Sequence, residues 1–269
     1  MVNLVSRRYI SSIALYFIGV LSGLILYSVF PLNRIARQKP EGIAFKSPRS
    51  EPVRNSPVVF VGGHPRSGTT LMRVLLDSHP SFHCGQETHV IPDLLTLRRK
   101  YSRGRGWNRL REAGLDLGLL NTTIADAILN IIRNRGSPAP SRRLCTKDPF
   151  TLKHIPYLSR MFPNAQFILM VRDGRGVVRS IRKNNIKIAH FPNTDKEGLQ
   201  RWNQGVEVMH NACLEVGPES CIVVHYESLV LEPRFWLGKI LRFLAVPWSE
   251  SVLKHPEYVD VAGGIFLSR

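Results

Sequence analysis

The chain has 269 residues, of which 43% are hydrophobic and 21% charged, a balance that suits an ordinary globular domain and excludes a disordered or fibrous chain. Lys and Arg number 37 against 20 Asp and Glu, a formal charge of +17, and this excess points to an anionic partner. Four cysteines are too few for a disulfide-built miniprotein, and the absence of C-x-x-C spacing argues against a zinc site of that type, so the core is expected from apolar packing.

From Tyr9 to Phe30 the sequence reads YISSIALYFIGVLSGLILYSVF without a charged residue, long enough to cross a bilayer core of about 30 Å as a helix. One transmembrane signal-anchor is expected over residues 9–30, after a cytoplasmic tail of residues 1–8. The apolar run exceeds that of a cleaved leader, and no A-x-A-like site follows it. Charge alone leaves the orientation open, because Arg7 and Arg8 precede the span while Arg34, Arg37, Lys39, Lys46 and Arg49 follow it. The sequon Asn121-Thr122-Thr123, a candidate glycosylation site, and the even number of cysteines favour a C-terminal part outside the cytosol. Residues 31–57, with Pro31, Pro40, Pro48, Pro52 and Pro57 among polar and basic residues, read as a stem whose cations can touch anionic headgroups.

Residues 58–269 alternate short apolar runs with helical stretches. Strands are expected at Val58 to Gly62, Arg143 to Lys147, Gln166 to Val171 and Cys221 to Tyr226. Three of these are nearly continuous apolar runs, as strands buried on both faces of a parallel sheet are. Helices are expected at Thr69 to Ser78, Thr123 to Asn134, Leu152 to Phe162 and Leu199 to Val216, the last with Leu199, Trp202, Val206, Met209 and Cys213 along one face. The alternation predicts an α/β domain with a central, mainly parallel sheet flanked by helices.

The strongest chemical signal is VVFVGGHPRSGTTLMRVLLD, a strand, a Gly-rich turn and an amphipathic helix. Gly63 to Thr70 has the G-x-x-x-x-G-x-T skeleton of a phosphate loop, in which backbone N–H groups and a helix N-terminus receive an oxyanion. The nucleotide triphosphatase motif requires Lys after the second Gly; Thr69 stands there instead, and the cation moves inside the loop to Arg66. This argues against a P-loop kinase. A second anion site is read at Val171-Arg172-Asp173-Gly174-Arg175, where Arg172 ends a strand and Ser180 follows two helical turns on.

Pro65-Arg66-Ser67-Gly68-Thr69-Thr70-Leu71, with Gly85-Gln86-Glu87-Thr88 and Thr146-Lys147-Asp148-Pro149-Phe150, resembles the protein-tyrosine sulfotransferases of the Golgi, from about Val58 to Arg269. The resemblance implies a P-loop-like sulfotransferase fold and metal-independent, in-line transfer from 3′-phosphoadenosine-5′-phosphosulfate to tyrosine hydroxyls of secretory proteins. It implies Arg66, Ser67, Gly68, Thr69 and Thr70 at the 5′-phosphosulfate, Arg172 and Ser180 at the 3′-phosphate, and Tyr226 at the nucleotide. Glu87 stands as the base, with Lys147 and Arg66 stabilising charge; without the resemblance, Lys147 reads as an ion-pair partner of Asp148, Glu87 as a solvated loop residue and Tyr226 as a strand-end packing aromatic. The peptide substrate is expected against His89, Val90, Ile91, Pro92 and Asp93. The resemblance further implies a single-pass type II Golgi membrane protein with a lumenal catalytic domain, and a homodimer.

Four cysteines allow three pairings, and the resemblance implies Cys84 with Cys145 and Cys213 with Cys221. The basic charge fits an anionic donor and an acidic peptide, and no nucleic-acid-binding signature accompanies it. The chain departs from the family pattern in three places. His89 and Asp93 replace two arginines, which is expected to weaken attraction for acidic flanks. Asn184 replaces a donor-binding Arg, with Arg182 and Lys183 adjacent as substitutes. Phe266 replaces a transition-state serine, and the family's further donor-binding segment lies beyond Arg269. Two alternatives follow: a Golgi carbohydrate sulfotransferase, which shares the donor loop, and a donor-binding homologue without turnover.

Overall fold

A computed structural model describes residues 54–134, 142–189, 191–259 and 265. The expected tail, anchor and most of the stem, and Phe266 with its flanking glycines, lie outside the described residues. Among these no single helix is long and apolar enough to cross a membrane.

Five strands, β1 (Val58–Gly63), β2 (Phe82–His83), β3 (Arg143–Lys147), β4 (Gln166–Val171) and β5 (Cys221–His225), form one sheet in the order β2-β3-β1-β4-β5, with every pairing parallel. All six residues of β1 are buried. Its β-branched and aromatic sequence suits a central strand covered on both faces. Side chains alternate across it: Val58 and Phe60 join a cluster with Phe162 and Phe167, while Val59 and Val61 join one with Met72 and Leu76.

Helices α1 (Thr69–Asp77), α2 (Val90–Tyr101), α3 (Gly104–Glu112), α4 (Leu117–Arg133), α5 (Ile155–Met161), α6 (Gly174–Lys183), α7 (Asp195–Val216), α8 (Tyr226–Leu231) and α9 (Pro233–Phe243) complete these segments, with 3-10 turns at Pro149–His154, Glu250–Val252 and His255–Tyr258. Ile91 and Leu95 of α2, Ile128 and Ile132 of α4, and Met209 and Cys213 of α7 pack on one face of the sheet. Leu75 of α1 and Leu237, Ile240 and Leu241 of α9 pack on the other.

Several expected elements change their bounds, among them the helix expected from Leu199, which starts at Asp195. The helix expected from Thr123 starts at Leu117, because the Asp116 carboxylate accepts from the Leu119 N–H at 2.6 Å and caps it. The helix expected over Leu152 to Phe162 divides into the 3-10 turn and α5, since Pro156 in the first turn of α5 cannot supply the hydrogen bond a continuous helix requires. The strand expected to end at Tyr226 ends at His225, and Tyr226 opens α8. The start of α7 is capped by Thr194, which accepts from the Glu197 N–H and donates to its carboxylate.

Candidate active site

The four long strands bring their expected residues to one edge of the sheet. β1 runs into the phosphate loop, β3 ends on Lys147, and Arg172 and Tyr226 directly follow β4 and β5. Parallel strands share a carboxyl edge, and the order reverses around β1, which is where open α/β sheets bind ligands.

In the loop, Arg66 and Gly68 take left-handed backbone angles, φ 73 and 92, and the Ser67 N–H donates to the His64 carbonyl at 3.0 Å. A Cβ on Gly68 would lie 2.4 Å from Tyr226 Cδ2, so the tyrosine ring seats directly on the loop. Thr69 is buried and Thr70 exposed at the start of α1, where no side chain caps the free N–H groups. Ser67 is fully buried and its Oγ has no partner among the described residues, an orphaned group of the kind an oxyanion ligand satisfies.

Arg66 Nε donates to Ser180 Oγ at 3.1 Å, and Arg172 Nη1 donates to the Arg66 carbonyl at 3.2 Å. The Arg172 guanidinium also lies 4.4 Å over the Tyr226 ring. The expected donor-site residues Arg66, Gly68, Arg172, Ser180 and Tyr226 thus form one electropositive group. Beside Arg172 opens a cavity of about 500 Å³ lined by Asp173, Trp202, His225 and Glu227. Arg182, expected to replace a lost donor contact, is engaged elsewhere: it pairs with Asp195 at 2.5 Å and donates to the Pro192 carbonyl. Asn184 donates to the Ser180 carbonyl at the end of α6.

A second group surrounds Glu87. Its carboxylate forms an ion pair with the Lys147 ammonium and lies 3.4 Å from His89 Nδ1. Lys147 thus pairs with Glu87, and the Asp148 carboxylate accepts from the His89 N–H at 3.1 Å. Glu87, His89 and Asp148 present oxygen and nitrogen atoms within 4.8 Å of one another, with Lys147 already supplying a cation on Glu87. Both expected disulfides are formed; Cys84–Cys145 ties the Glu87 loop to the strand bearing Lys147, and Cys213–Cys221 joins α7 to β5. The expected catalytic trio is divided, with Glu87 and Lys147 in one group and Arg66 hydrogen-bonded in the other.

Of the stretch expected to face the peptide, His89 takes a left-handed backbone and is exposed, as are Val90 and Asp93, and Pro92 is half-buried. Ile91 is fully buried in the core cluster of α2 and α4 and presents no surface to a peptide. The i, i+3 apolar spacing of Ile91 and Leu94 in α2 explains its inward turn. Asn121 of the sequon is half-buried in α4, where its Oδ1 accepts from Arg98 Nε at 2.9 Å.

Two site residues were not anticipated from the sequence. Arg73, buried in α1, donates to the Gly85 carbonyl at 3.2 Å and pairs with Asp77. Asp77 in turn accepts from the Cys84 N–H at 2.6 Å, so the far end of α1 holds the chain leading to Glu87. Burial lowers the Arg73 pKa and raises that of Asp77, each against the pull of the other. The available signal was a charged pair four residues apart inside the apolar run LMRVLLD.

The sulfotransferase family profile matches residues 57–250. The chain is 49% identical over 218 residues to protein-tyrosine sulfotransferase 1 of Homo sapiens, covering 80% of this chain and 58% of that protein. It is 47% identical over 218 residues to protein-tyrosine sulfotransferase of Drosophila melanogaster, covering 80% of this chain and 43% of that protein. The chain belongs to the protein-tyrosine sulfotransferases, within the sulfotransferase family. It spans about half the length of the curated relatives it matches. The fold is shared with the sulfotransferase domain from the curacin biosynthetic pathway, at 23% identity and TM-score 0.52 over 74% of this chain and 77% of that one.

Proposed function

We propose that this chain transfers the sulfuryl group of 3′-phosphoadenosine-5′-phosphosulfate to tyrosine hydroxyls of secretory proteins. The observation that carries the reading is the Glu87–Lys147 pair, held by a disulfide at the same sheet edge as the phosphate loop. A phenol has a pKa near 10, so its oxygen needs a base as it attacks. Glu87 accepts that proton while the tyrosyl oxygen bonds to sulfur and the bond from sulfur to the phosphate oxygen breaks. Lys147 and Arg66 stabilise charge on the departing and transferring oxygens with little reorganisation. Ser67, the loop N–H groups and the Thr69 and Thr70 hydroxyls hold the 5′ end, Arg172 and Ser180 the 3′-phosphate, and Tyr226 the nucleotide. The ammonium already on Glu87 supports transfer by side-chain cations in place of a metal, and full activity in a chelator is the expected result.

Two disulfides support an oxidising compartment, and with the apolar segment at residues 9–30 they support a lumenal domain on a single-pass Golgi anchor. Asn121 glycosylation and homodimer assembly belong to the same reading. The test is transfer of labelled sulfate from the donor to a tyrosine peptide by the full chain in detergent, with calorimetry of donor binding. Glu87→Ala is expected to abolish turnover and leave donor affinity within a few-fold. Transfer to sugars alone would replace tyrosine by a carbohydrate acceptor, and donor binding without transfer to any acceptor would leave a donor-binding protein.

A further inference from the structure

The chain contains seven tyrosines, and six of them are poor acceptors for the transfer proposed above. Tyr9, Tyr16 and Tyr27 lie in the apolar run of residues 9–30. Tyr157 is buried, its phenol donates to the Asn121 carbonyl at 2.7 Å, and burial holds its proton more tightly than in an ordinary phenol. Tyr226 is seated on the phosphate loop with the Arg172 guanidinium over its ring. Tyr101 stands among Arg98, Arg99, Lys100 and Arg103, a flank that an electropositive site repels.

Tyr258 differs from all of these. It ends the 3-10 turn His255–Tyr258 that follows α9, in the sequence His-Pro-Glu-Tyr-Val-Asp. The three residues on either side of it include Glu257 and Asp260 and neither Lys nor Arg. In a chain of formal charge +17, a segment of this kind is attracted where the flank of Tyr101 is repelled. Pro256 and Glu257 are exposed, and within the turn the Glu257 N–H donates to the Lys254 carbonyl at 2.9 Å. A 3-10 turn of this length is held by few hydrogen bonds and opens at little cost, which frees the segment to enter a cleft.

We propose that Tyr258 is a sulfation site of the chain itself, which thus serves as its own acceptor. This rests on the tyrosine-transfer reading and adds a modification site to it. The Tyr258 phenolic oxygen bonds to the donor sulfur, the bond from that sulfur to the 5′-phosphate oxygen breaks, the phenolic proton passes to Glu87, and 3′-phosphoadenosine-5′-phosphate leaves. A neutral phenol becomes a fixed monoanion next to Glu257, and the positive charge of the chain falls by one unit.

The experiment uses the full chain in detergent, made in cells that do not sulfate tyrosine and incubated with labelled donor and no other acceptor. Trypsin cuts after Lys254 and releases His255–Arg269, a peptide with a single tyrosine. Mass spectrometry is expected to find one sulfuryl group on it. Tyr258→Phe should abolish labelling of the chain while transfer to an added tyrosine peptide continues unchanged, and Glu257→Lys should slow self-labelling several-fold. Label confined to another tyrosine, label that persists in Tyr258→Phe, or an unlabelled chain that sulfates an added peptide overturns the proposal and leaves the transfer reading standing. Should neither chain nor peptide be labelled, the transfer reading fails first, and the chain is then offered as acceptor to an active protein-tyrosine sulfotransferase. Label at Tyr258 upholds the acceptor site; an unlabelled chain beside a labelled control peptide overturns it.

Discussion

At Gly68 one hydrogen atom separates a working loop from a blocked one. Its φ of 92 and the 2.4 Å approach of Tyr226 to the place of a Cβ mean that Gly68→Ala both strains the backbone, by about 1–2 kcal/mol, and displaces the aromatic ring. Donor affinity measured by calorimetry should fall at least tenfold, and an unchanged value would separate Tyr226 from the donor site. His154 gives a prediction in pH. Burial, then Arg99, Arg98 and Lys153, hold its pKa down to about 4, whereas an unfolded histidine protonates near 6.5. Between those values the unfolded chain binds more protons, so stability falls as pH falls; the loss is nil above 6.5 and complete below about 4. Its size is on the order of 3 kcal/mol, and His64, lowered mainly by burial, acts in the same direction. His154→Asn should flatten the dependence of melting temperature on pH across this window; an unaltered slope would clear His154 of the effect. At this scale the site was legible where a motif spelled it, as at Arg66 and Glu87. Arg73 and Asp77 were hidden because a buried ion pair inside a helix has the spacing of any surface pair, and Ile91 was misread because a motif boundary says nothing about which way a helix turns.

Among the elements, α1 and the Cys84–Cys145 bridge hold the Glu87 loop from two sides. The bridge closes a separation of 61 residues, for which chain entropy gives about 4 kcal/mol, against roughly 2.5 kcal/mol for the eight-residue separation of Cys213–Cys221. Cys84→Ser/Cys145→Ser should therefore lower the melting temperature more than Cys213→Ser/Cys221→Ser. It should also depress kcat while sparing donor affinity, since the loop it frees carries Glu87 and not the phosphate loop. Equal loss of donor binding would show that the bridge supports the whole sheet edge. The central strands β1 and β4 were legible almost to the residue because parallel, doubly buried strands are short apolar runs, here VVFVGG and QFILMV. Two-residue β2 has too little sequence to announce itself, and α3 escaped because none of its residues is buried, leaving no apolar stripe to read.

For the whole molecule, a charge of +17 makes encounter with an acidic acceptor depend on ionic strength. Raising salt from about 50 to about 500 mM shortens the screening length from roughly 13 to 4 Å, and KM for an acidic peptide should rise several-fold while KM for a neutral one holds. Matching rises for both would assign the effect to the donor. The order β2-β3-β1-β4-β5 was less legible than its strands, because pairing is decided by crossover geometry and not by any one segment. That order also imposes a timetable. At about 5–20 residues per second on the ribosome, Ser180 is added 114 residues after Arg66, its hydrogen-bond partner, a lag of roughly 6–23 s. Cys145 follows Cys84 by 61 residues, so both halves of the clasp around the Glu87 loop are in the chain well before β5 is added. The phosphate loop thus waits longest for Ser180, and the Glu87 loop has its clasp partner in the chain before Ser180 is added.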